Sequence, residues 1–160
     1  MKKELAGLLH STSVIKTVGS TDKTVDNVTC DSRKVSEGAL FVAVNGVNVD
    51  AHAFIPEVIA KGANVVVCEV LPQDTNPDVC YIVVENSSIA LAHIAAWWYN
   101  FPSKQLTLVG VTGTNGKTTT ATLLYETMQL LGHKAGLLST VCNIIDKQIV
   151  PATQTTPDPL

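Results

Sequence analysis

The sequence has no long apolar run, no excess of positive charge and no recognisable export signal. Its longest apolar stretch, residues 89–98, contains His93 and is about half as long as a bilayer-spanning helix. The first residues carry two lysines but also Glu4 and only a broken apolar run, whereas a secretory signal needs a longer uncharged core. The net charge of −3 provides no basic field for nucleic acid or anionic lipid. We therefore expect a cytoplasmic protein that binds neither nucleic acid nor a membrane.

Closely spaced metal-binding or disulfide-forming residues are also missing. The four cysteines stand apart among apolar and β-branched neighbours, and none belongs to a CxxC pair; they are Cys30, Cys68, Cys80 and Cys142. In a chain without an export signal, such cysteines favour buried free thiols over disulfides or metal ligands. The four histidines are equally dispersed and lack the spacing of zinc sites. The sequence therefore gives no support for a zinc centre.

What the sequence does have is a large apolar fraction arranged in short segments. Of its 160 residues, 46% are hydrophobic and 16% are charged, which is typical of a packed globular chain. Continuous apolar strands alternate with helical patterns, and this order indicates an α/β fold whose parallel sheet is covered on both faces. The predicted strands are residues 26–30, 39–44, 65–68, 80–84, 106–111 and 135–140, followed by a hairpin around Asp146-Lys147. The predicted helices are an amino-terminal one and residues 53–61, 89–98 and 117–131.

The chain divides into two series of strands and helices near residues 85–88. We predict a first domain over residues 1–86 and the start of a second domain over residues 87–160. The second series ends in Pro157-Asp158-Pro159-Leu160 without a further helix, so we expect the chain to be an amino-terminal fragment of a longer protein. A complete small protein with a proline-rich tail is the alternative.

Residues 108–120 (LVGVTGTNGKTTT) are typical of a phosphate-binding loop between a strand and a helix. Glycines at 113 and 116 let the backbone turn and bring N–H groups near an anion, and the start of the helix adds unpaired donors. Lys117 would bind the β- and γ-phosphates, and the Thr118 hydroxyl can ligate Mg²⁺. The strict Walker A spacing requires glycine where this chain has Val111. The strand–loop–helix context nevertheless predicts nucleotide binding.

Several segments on both sides of this loop resemble one family of enzymes, the Mur ligase family of ATP-dependent amide ligases. In the order found in that family, the chain contains Asp31-Ser32-Arg33, GALFVAVNG (38–46), Asp50-Ala51-His52, IPEVIAKGA (55–63) and GTNGKTT (113–119). Thr155-Thr156-Pro157 is similar to the segment that meets the muramoyl substrate in the member adding the third amino acid. The resemblance covers nearly the whole chain.

The resemblance implies a small amino-terminal α/β UDP-binding domain followed by the start of a P-loop α/β ATPase domain. Family members use ATP to convert a carboxylate into an acyl phosphate, which an amino acid amine then attacks to form an amide. The implied substrates are UDP-N-acetylmuramoyl-L-alanyl-D-glutamate and an amino acid, in peptidoglycan synthesis. The implied cofactors are ATP and Mg²⁺, and a monomer is expected.

The resemblance also assigns roles to individual positions. The implied ATP-binding residues are Gly113, Thr114, Asn115, Gly116, Lys117, Thr118 and Thr119, with Lys117 catalytic and Thr118 on magnesium. The implied substrate-binding residues are Cys30, Ser32, Val47, Asn48, Val49, Gln154, Thr155 and Thr156. The family's other magnesium ligands, its adenine contacts and its amino-acid-binding domain lie beyond Leu160. We therefore expect the isolated chain to form no amide bond.

Other interpretations of these residues stay open. Ser32 by itself is typical of a turn residue, and Asp31 and Arg33 favour pairing across that turn over contacting a substrate. The two threonines before Pro157 also fit an ordinary extended segment. The alternative functions are the D-Ala-D-Ala-adding member of the family, a P-loop phosphotransferase and a non-catalytic nucleotide-binding module.

The chain departs from the family pattern in two places. Ala51 stands where the family commonly has glycine, so a positive φ is not expected at that turn. Val47 and Val49 are apolar where relatives carry polar side chains, so contacts there are expected to involve the backbone.

Overall fold

The computed structural model describes residues 2–9, 12–46, 49–152 and 160 of the chain. These residues form two compact units, the first ending at Leu106 and the second beginning at Thr107. The predicted boundary between residues 86 and 87 falls before the helix Ser87–Trp98, but this helix packs into the core of the first unit. The division between units therefore lies one helix later than the predicted one, because the apolar face of that helix is buried against the first sheet.

The elements of the first unit follow the predicted alternation of strands and helices. Its strands are β1 (Lys3–Glu4), β2 (Val14–Val18), β3 (Thr24–Val25), β4 (Asn27–Thr29), β5 (Ala39–Val42), β6 (Val65–Cys68) and β7 (Cys80–Val84). Its α-helices are α1 (Leu5–Leu9), α2 (Ile55–Ala60) and α3 (Ser87–Trp98). Short 3-10 turns lie at Ser32–Lys34, Ala51–Phe54 and Pro102–Gln105.

The first unit is built on a mixed sheet whose described strands have the order β2-β7-β6-β5-β4. Strands β4 to β7 run parallel, with Leu40 of β5 beside Val28 of β4 and Val65 of β6. The predicted parallel sheet is thus confirmed. An antiparallel strand that was not predicted, β2, adds an edge beside β7. Strands β1 and β3 pair separately as a small antiparallel sheet.

Alternation of side chains along the strands gives the sheet two apolar faces. In β5, Leu40 and Val42 join one core while Phe41 joins the other. Helices α1 and α3 cover the first face, and α2 covers the second with Ile55 and Val58. All four residues of β5 and of β6 are buried, which explains why both strands read as continuous apolar runs.

The second unit contains helix α4 (Lys117–Leu130) and an antiparallel sheet with the order β10-β9-β8. Its strands are β8 (Leu137–Leu138), β9 (Cys142–Ile145) and β10 (Gln148–Pro151). Asp146 and Lys147 connect β9 to β10 with φ values of 47° and 66°, as a two-residue hairpin turn of type I′ requires. The predicted helix and the predicted hairpin are both confirmed.

The apolar run at residues 106–111 does not form the strand that was predicted. Leu106, Leu108 and Val109 are 64%, 74% and 65% exposed. In the part of the chain that the structure describes, β8, β9 and β10 pair with one another and leave this run without a neighbouring strand. An apolar sequence indicates burial, but a strand also needs a hydrogen-bonded neighbour, and the run itself cannot supply one.

The structure tests two expectations from the sequence, the lack of a membrane span and the burial of the cysteines. Over the described ranges, every helix is too short or too polar to span a bilayer. Cys68 and Cys80 are buried free thiols, as predicted, whereas Cys30 and Cys142 are only half-buried. Burial raises the pKa of the Cys68 thiol to about 11.

Candidate functional site

The first candidate region is the edge of the large sheet where the parallel strands end. Cys30 and Ser32 follow β4, and Val49 lies in the loop that follows β5. Since β4 and β5 are parallel neighbours, these segments lie at the same carboxyl edge. Ligands of open α/β sheets bind at this edge, so the fold places these predicted substrate residues where a ligand would approach. Val47 and Asn48, which were also predicted to bind substrate, lie outside the described residues.

Asp31 and Arg33 shape the turn that carries Ser32. The Asp31 carboxylate accepts hydrogen bonds from the Arg33 backbone N–H at 3.0 Å, from Nε at 2.8 Å and from Nη2 at 2.7 Å. The guanidinium holds the pKa of the Asp31 carboxyl well below its usual range. Lys61 Nζ donates to the Ser32 carbonyl at 2.9 Å and fixes the backbone there. The interpretation that Asp31 and Arg33 pair across the turn is confirmed.

Polar side chains join the segments that follow β5, β6 and β7. The Asn45 N–H donates to Ser87 Oγ at 3.3 Å. Ser87 in turn donates to Glu69 Oε1, from its hydroxyl at 2.7 Å and from its backbone N–H at 2.8 Å. The Glu69 backbone N–H donates to His52 Nε2 at 2.9 Å. Hydrogen bonds from Ser87 lower the pKa of the Glu69 carboxyl.

The same series continues from His52 to Asp50. His52 Nδ1 lies 2.6 Å from Asp50 Oδ1, which also accepts from the His52 backbone N–H at 2.9 Å. A backbone N–H can only donate, so Nε2 must be the unprotonated nitrogen that accepts from Glu69, and Nδ1 carries the proton that is donated to Asp50. These two hydrogen bonds from His52 lower the pKa of Asp50.

Sequence reasoning connected Asp50 and His52 with the site only through the family resemblance, and it missed Glu69 and Ser87. The available signal was positional. Glu69 comes directly after β6, and Ser87 begins α3 just after β7. A polar residue directly after a buried parallel strand lies at the edge where ligands bind.

The second candidate region is the phosphate loop before α4. Gly113 and Gly116 have φ values of 147° and 76°, which side-chain-bearing residues rarely adopt. Gly116 is the N-cap of α4, so the first-turn N–H groups of that helix have no capping side chain. Lys117 Nζ donates to the Gly113 carbonyl at 2.6 Å and to the Thr114 carbonyl at 3.4 Å, which places the ammonium against the loop. The loop, with Asn115 in its centre, is exposed to solvent.

This loop has the donors that a polyphosphate needs. Backbone N–H groups at a helix start, a loop turned by glycines and a lysine ammonium together form an anion-binding arrangement. Thr118 is half-buried in the first turn of α4, and Thr119 is exposed beside it. The geometry of the loop residues therefore fits the predicted nucleotide.

A metal ion would depend on that nucleotide. Over the described ranges, no group of three or more His, Cys, Asp or Glu residues could hold a metal ion. The Thr118 hydroxyl provides one oxygen ligand, and Mg²⁺ in nucleotide sites takes further ligands from phosphates and water. The residues present fit a magnesium–nucleotide complex and do not form a metal site of their own. Gln154, Thr155 and Thr156 lie outside the described residues.

Comparison with known proteins covers both units. A model described as "Mur ligase family, catalytic domain" matches residues 24–99, and one described as "Mur ligase middle domain" matches residues 111–160. UDP-N-acetylmuramoyl-L-alanyl-D-glutamate–2,6-diaminopimelate ligase of Parabacteroides distasonis is 50% identical over 157 residues, which are 98% of this chain and 32% of that protein. This chain therefore spans about a third of the length of that curated relative.

Solved structures of Mur ligases also resemble this chain. The MurF ligase of Thermotoga maritima in complex with ADP is 33% identical, with a TM-score of 0.53 over 74% of this chain and 26% of that one. A UDP-N-acetylmuramoyl-L-alanyl-D-glutamate–2,6-diaminopimelate ligase shares the fold, with a TM-score of 0.68 over 99% of this chain and 31% of that one, at 21% identity. Models of one family match both units, and 98% of the chain aligns with a ligase of that family. The chain therefore belongs to the Mur ligase family.

Proposed function

We propose that the whole protein is an ATP-dependent ligase that adds an amino acid to UDP-N-acetylmuramoyl-L-alanyl-D-glutamate. The observation that carries this proposal is the phosphate loop, in which Lys117 Nζ lies 2.6 Å from the Gly113 carbonyl at the uncapped start of α4. Such a loop supports transfer of the γ-phosphoryl group of ATP. The 50% identity to a ligase with this named substrate supports the choice of acceptor.

The reaction has two steps, and the chain's own residues contribute to the first. A carboxylate oxygen of the UDP substrate attacks the γ-phosphorus of ATP, and ADP leaves, which gives an acyl phosphate. The amine of the amino acid then attacks the acyl carbon, and inorganic phosphate leaves as the amide forms. Lys117 and the loop N–H groups would stabilise the charge that develops on the transferred phosphoryl group. The Thr118 hydroxyl would hold Mg²⁺ beside those phosphates.

The UDP substrate is proposed to bind at the carboxyl edge of the first unit. Cys30, Ser32 and the segment 47–49 are its proposed contacts there, since they follow adjacent parallel strands. Gln154, Thr155 and Thr156 are proposed to contact the muramoyl peptide. The relative from Parabacteroides distasonis is named for 2,6-diaminopimelate, and we propose the same incoming amino acid here. The protein's cytoplasmic location and monomeric state stay predictions.

The test is a ligation assay with the full-length protein that contains this chain. Purified enzyme is incubated with Mg-ATP, UDP-N-acetylmuramoyl-L-alanyl-D-glutamate and, in separate reactions, 2,6-diaminopimelate, lysine or D-Ala-D-Ala. Phosphate release and the mass of the nucleotide product are measured together. The expected result is phosphate release that requires the UDP substrate, with product mass increased by 2,6-diaminopimelate. Phosphate release without the UDP substrate would favour a phosphotransferase or simple NTPase, and product with D-Ala-D-Ala alone would favour the other ligase.

A further inference from the structure

The loop after β5 is closed at its base by backbone hydrogen bonds. We call residues 45–50 the substrate loop, because it contains the proposed UDP contacts 47–49. Asn45 and Asp50 form an antiparallel bridge, and the Gly46 N–H donates to the Val49 carbonyl at 3.1 Å. A Cβ at position 46 would lie 2.9 Å from that carbonyl oxygen. The two ends of the substrate loop are thus held together, but these contacts do not fix the loop to the rest of the sheet.

Glu69 connects both ends of the substrate loop to the sheet. Its backbone N–H donates a hydrogen bond to the His52 ring, and that ring donates a hydrogen bond to Asp50 at the far end of the loop. Its carboxylate accepts a hydrogen bond from the Ser87 hydroxyl, and that hydroxyl accepts one from the N–H of Asn45 at the near end of the loop. With the bridge between Asn45 and Asp50, these contacts form a closed circuit of hydrogen bonds.

Two members of this circuit are shielded from water, whereas the Asp50 side chain at the end of the loop is 57% exposed. Ser87 is 0% exposed, and the His52 side chain is 15% exposed. Hydrogen bonds in such an environment are stronger than in water, and leaving one partner unpaired is costly. The Glu69 carboxylate also lies at the amino terminus of α3, where the backbone N–H groups favour a negative charge. Glu69 is therefore held between helix α3 and the 3-10 turn that contains His52.

We infer that Glu69 and His52 are positioning residues that fix the substrate loop against the carboxyl edge of the sheet and thereby set the affinity for the UDP substrate. This inference rests on the proposed function. Neither residue needs to touch the substrate. Their role is to hold the two described ends of the loop, Asn45-Gly46 and Val49-Asp50, in one arrangement before the substrate binds.

The test compares the KM values for the UDP substrate and for ATP in the full-length enzyme. Glu69→Ala removes the acceptor of Ser87 but keeps the backbone N–H that binds His52. We expect the KM for UDP-N-acetylmuramoyl-L-alanyl-D-glutamate to rise about five- to tenfold, with the KM for ATP changed less than about twofold. Glu37→Ala is the matched control, because it removes a carboxylate just before β5, at the opposite edge of the same sheet. It is expected to leave both KM values unchanged.

Substitutions of His52 separate its two contacts. Gln at this position places an amide oxygen near the site of Nε2 and can accept from the Glu69 N–H. Asn places an amide nitrogen near the site of Nδ1 and can donate to Asp50, whereas Ala can do neither. We expect the KM for the UDP substrate to be highest for His52→Ala and partly restored in His52→Gln and His52→Asn. A general loss of structure would instead raise the KM for ATP as well.

The outcomes distinguish the inference from the proposed function. Wild-type enzyme that does not use the UDP substrate would contradict the proposed function. Active wild-type enzyme with an unchanged UDP-substrate KM in Glu69→Ala and His52→Ala would overturn the positioning role alone. Equal increases in both KM values would also overturn it, because they would indicate a general loss of structure. If Glu69→Ala does not fold, the three His52 variants decide, since each of them retains Glu69.

Discussion

Lys3 connects the amino-terminal strand to the end of α3, and its replacement by methionine would show how much that connection stabilises the first unit. Lys3 Nζ donates to the Trp97 carbonyl and to Asn100 Oδ1, both at 2.6 Å. It also lies 4.9 Å from the centroid of the Trp97 ring. A cation at this position interacts favourably with the carboxyl end of the helix. Methionine keeps an unbranched apolar side chain and removes the charge and the donors.

The expected loss follows from the exposure of these contacts. A hydrogen bond to a charged group contributes about 1.5–3 kcal/mol, and less where water competes. The contact with Trp97 is part-buried and that with Asn100 is exposed, so we take the lower end of this range for the two together. A cation–π contact at an exposed site adds about 0.5 kcal/mol. We therefore expect Lys3→Met to lower the free energy of unfolding by about 1–2 kcal/mol.

The chain contains its own probe for this measurement. Trp97 and Trp98 are its two tryptophans, and both are buried in the first unit. Their fluorescence during urea unfolding should show a lower midpoint for Lys3→Met with an unchanged slope. Lys2→Met is the control, since the Lys2–Asp26 ion pair is exposed and such pairs contribute about 0.2–1 kcal/mol. The reasoning is refuted if Lys3→Met lowers the midpoint no more than Lys2→Met does.

Three further perturbations have defined outcomes. Gly19→Ala should lower the free energy of unfolding by at least about 1–2 kcal/mol, because φ is +94° and the new Cβ would lie 2.5 Å from the Val79 carbonyl oxygen; an unchanged urea midpoint would contradict this. In the full-length protein, Lys117→Ala should lower the affinity for ATP, measured by calorimetry, about 10- to 100-fold, whereas Lys134→Ala, at an exposed lysine, should not. If the two variants bind ATP with equal affinity, the phosphate-loop assignment is wrong. Glu69 has a lowered pKa in the folded chain, so the stabilisation it provides is complete above about pH 5 and is lost as pH falls through that lowered value. The urea midpoint should therefore fall less between pH 7 and pH 4 in Glu69→Gln than in the wild type, and equal falls would exclude this contribution.

The strands and helices that the sequence predicts best are those whose burial is complete. The predicted ranges 65–68 and 80–84 coincide with β6 and β7, because every residue of β6 and nearly every residue of β7 is buried. The predicted helix 89–98 lies within α3, which begins two residues earlier at Ser87. Its N-cap is Asn86, whose side chain accepts a hydrogen bond from the Ile89 N–H. Local patterns therefore locate an element well and its terminal residue less well.

The features that the sequence did not reveal depend on contacts between distant residues. Strand β2 is an edge strand with only partial burial, so its residues give no continuous apolar run. The circuit through Glu69 joins residues that follow three different strands, and no local pattern encodes which of them meet. The phosphate loop is different, because its donors are supplied by consecutive residues. For this reason the loop could be recognised from a single segment, whereas the positioning of the substrate loop required the fold.

Helix α4 shows why the proposed activity belongs to the whole protein. It has 14 residues and none is buried, whereas α3 has 12 residues and buries its apolar face in the first unit. A helix of this length is marginal in water by itself and is normally stabilised by packing of its apolar face. Leu123 and Leu130 are 58% and 89% exposed, and the apolar run before the phosphate loop is exposed as well. The loop is therefore flanked on both sides by apolar side chains that are largely exposed within the described residues. Because phosphate binding requires the loop N–H groups to be held in a fixed arrangement, nucleotide affinity should depend on whatever covers these surfaces in the proposed full-length ligase.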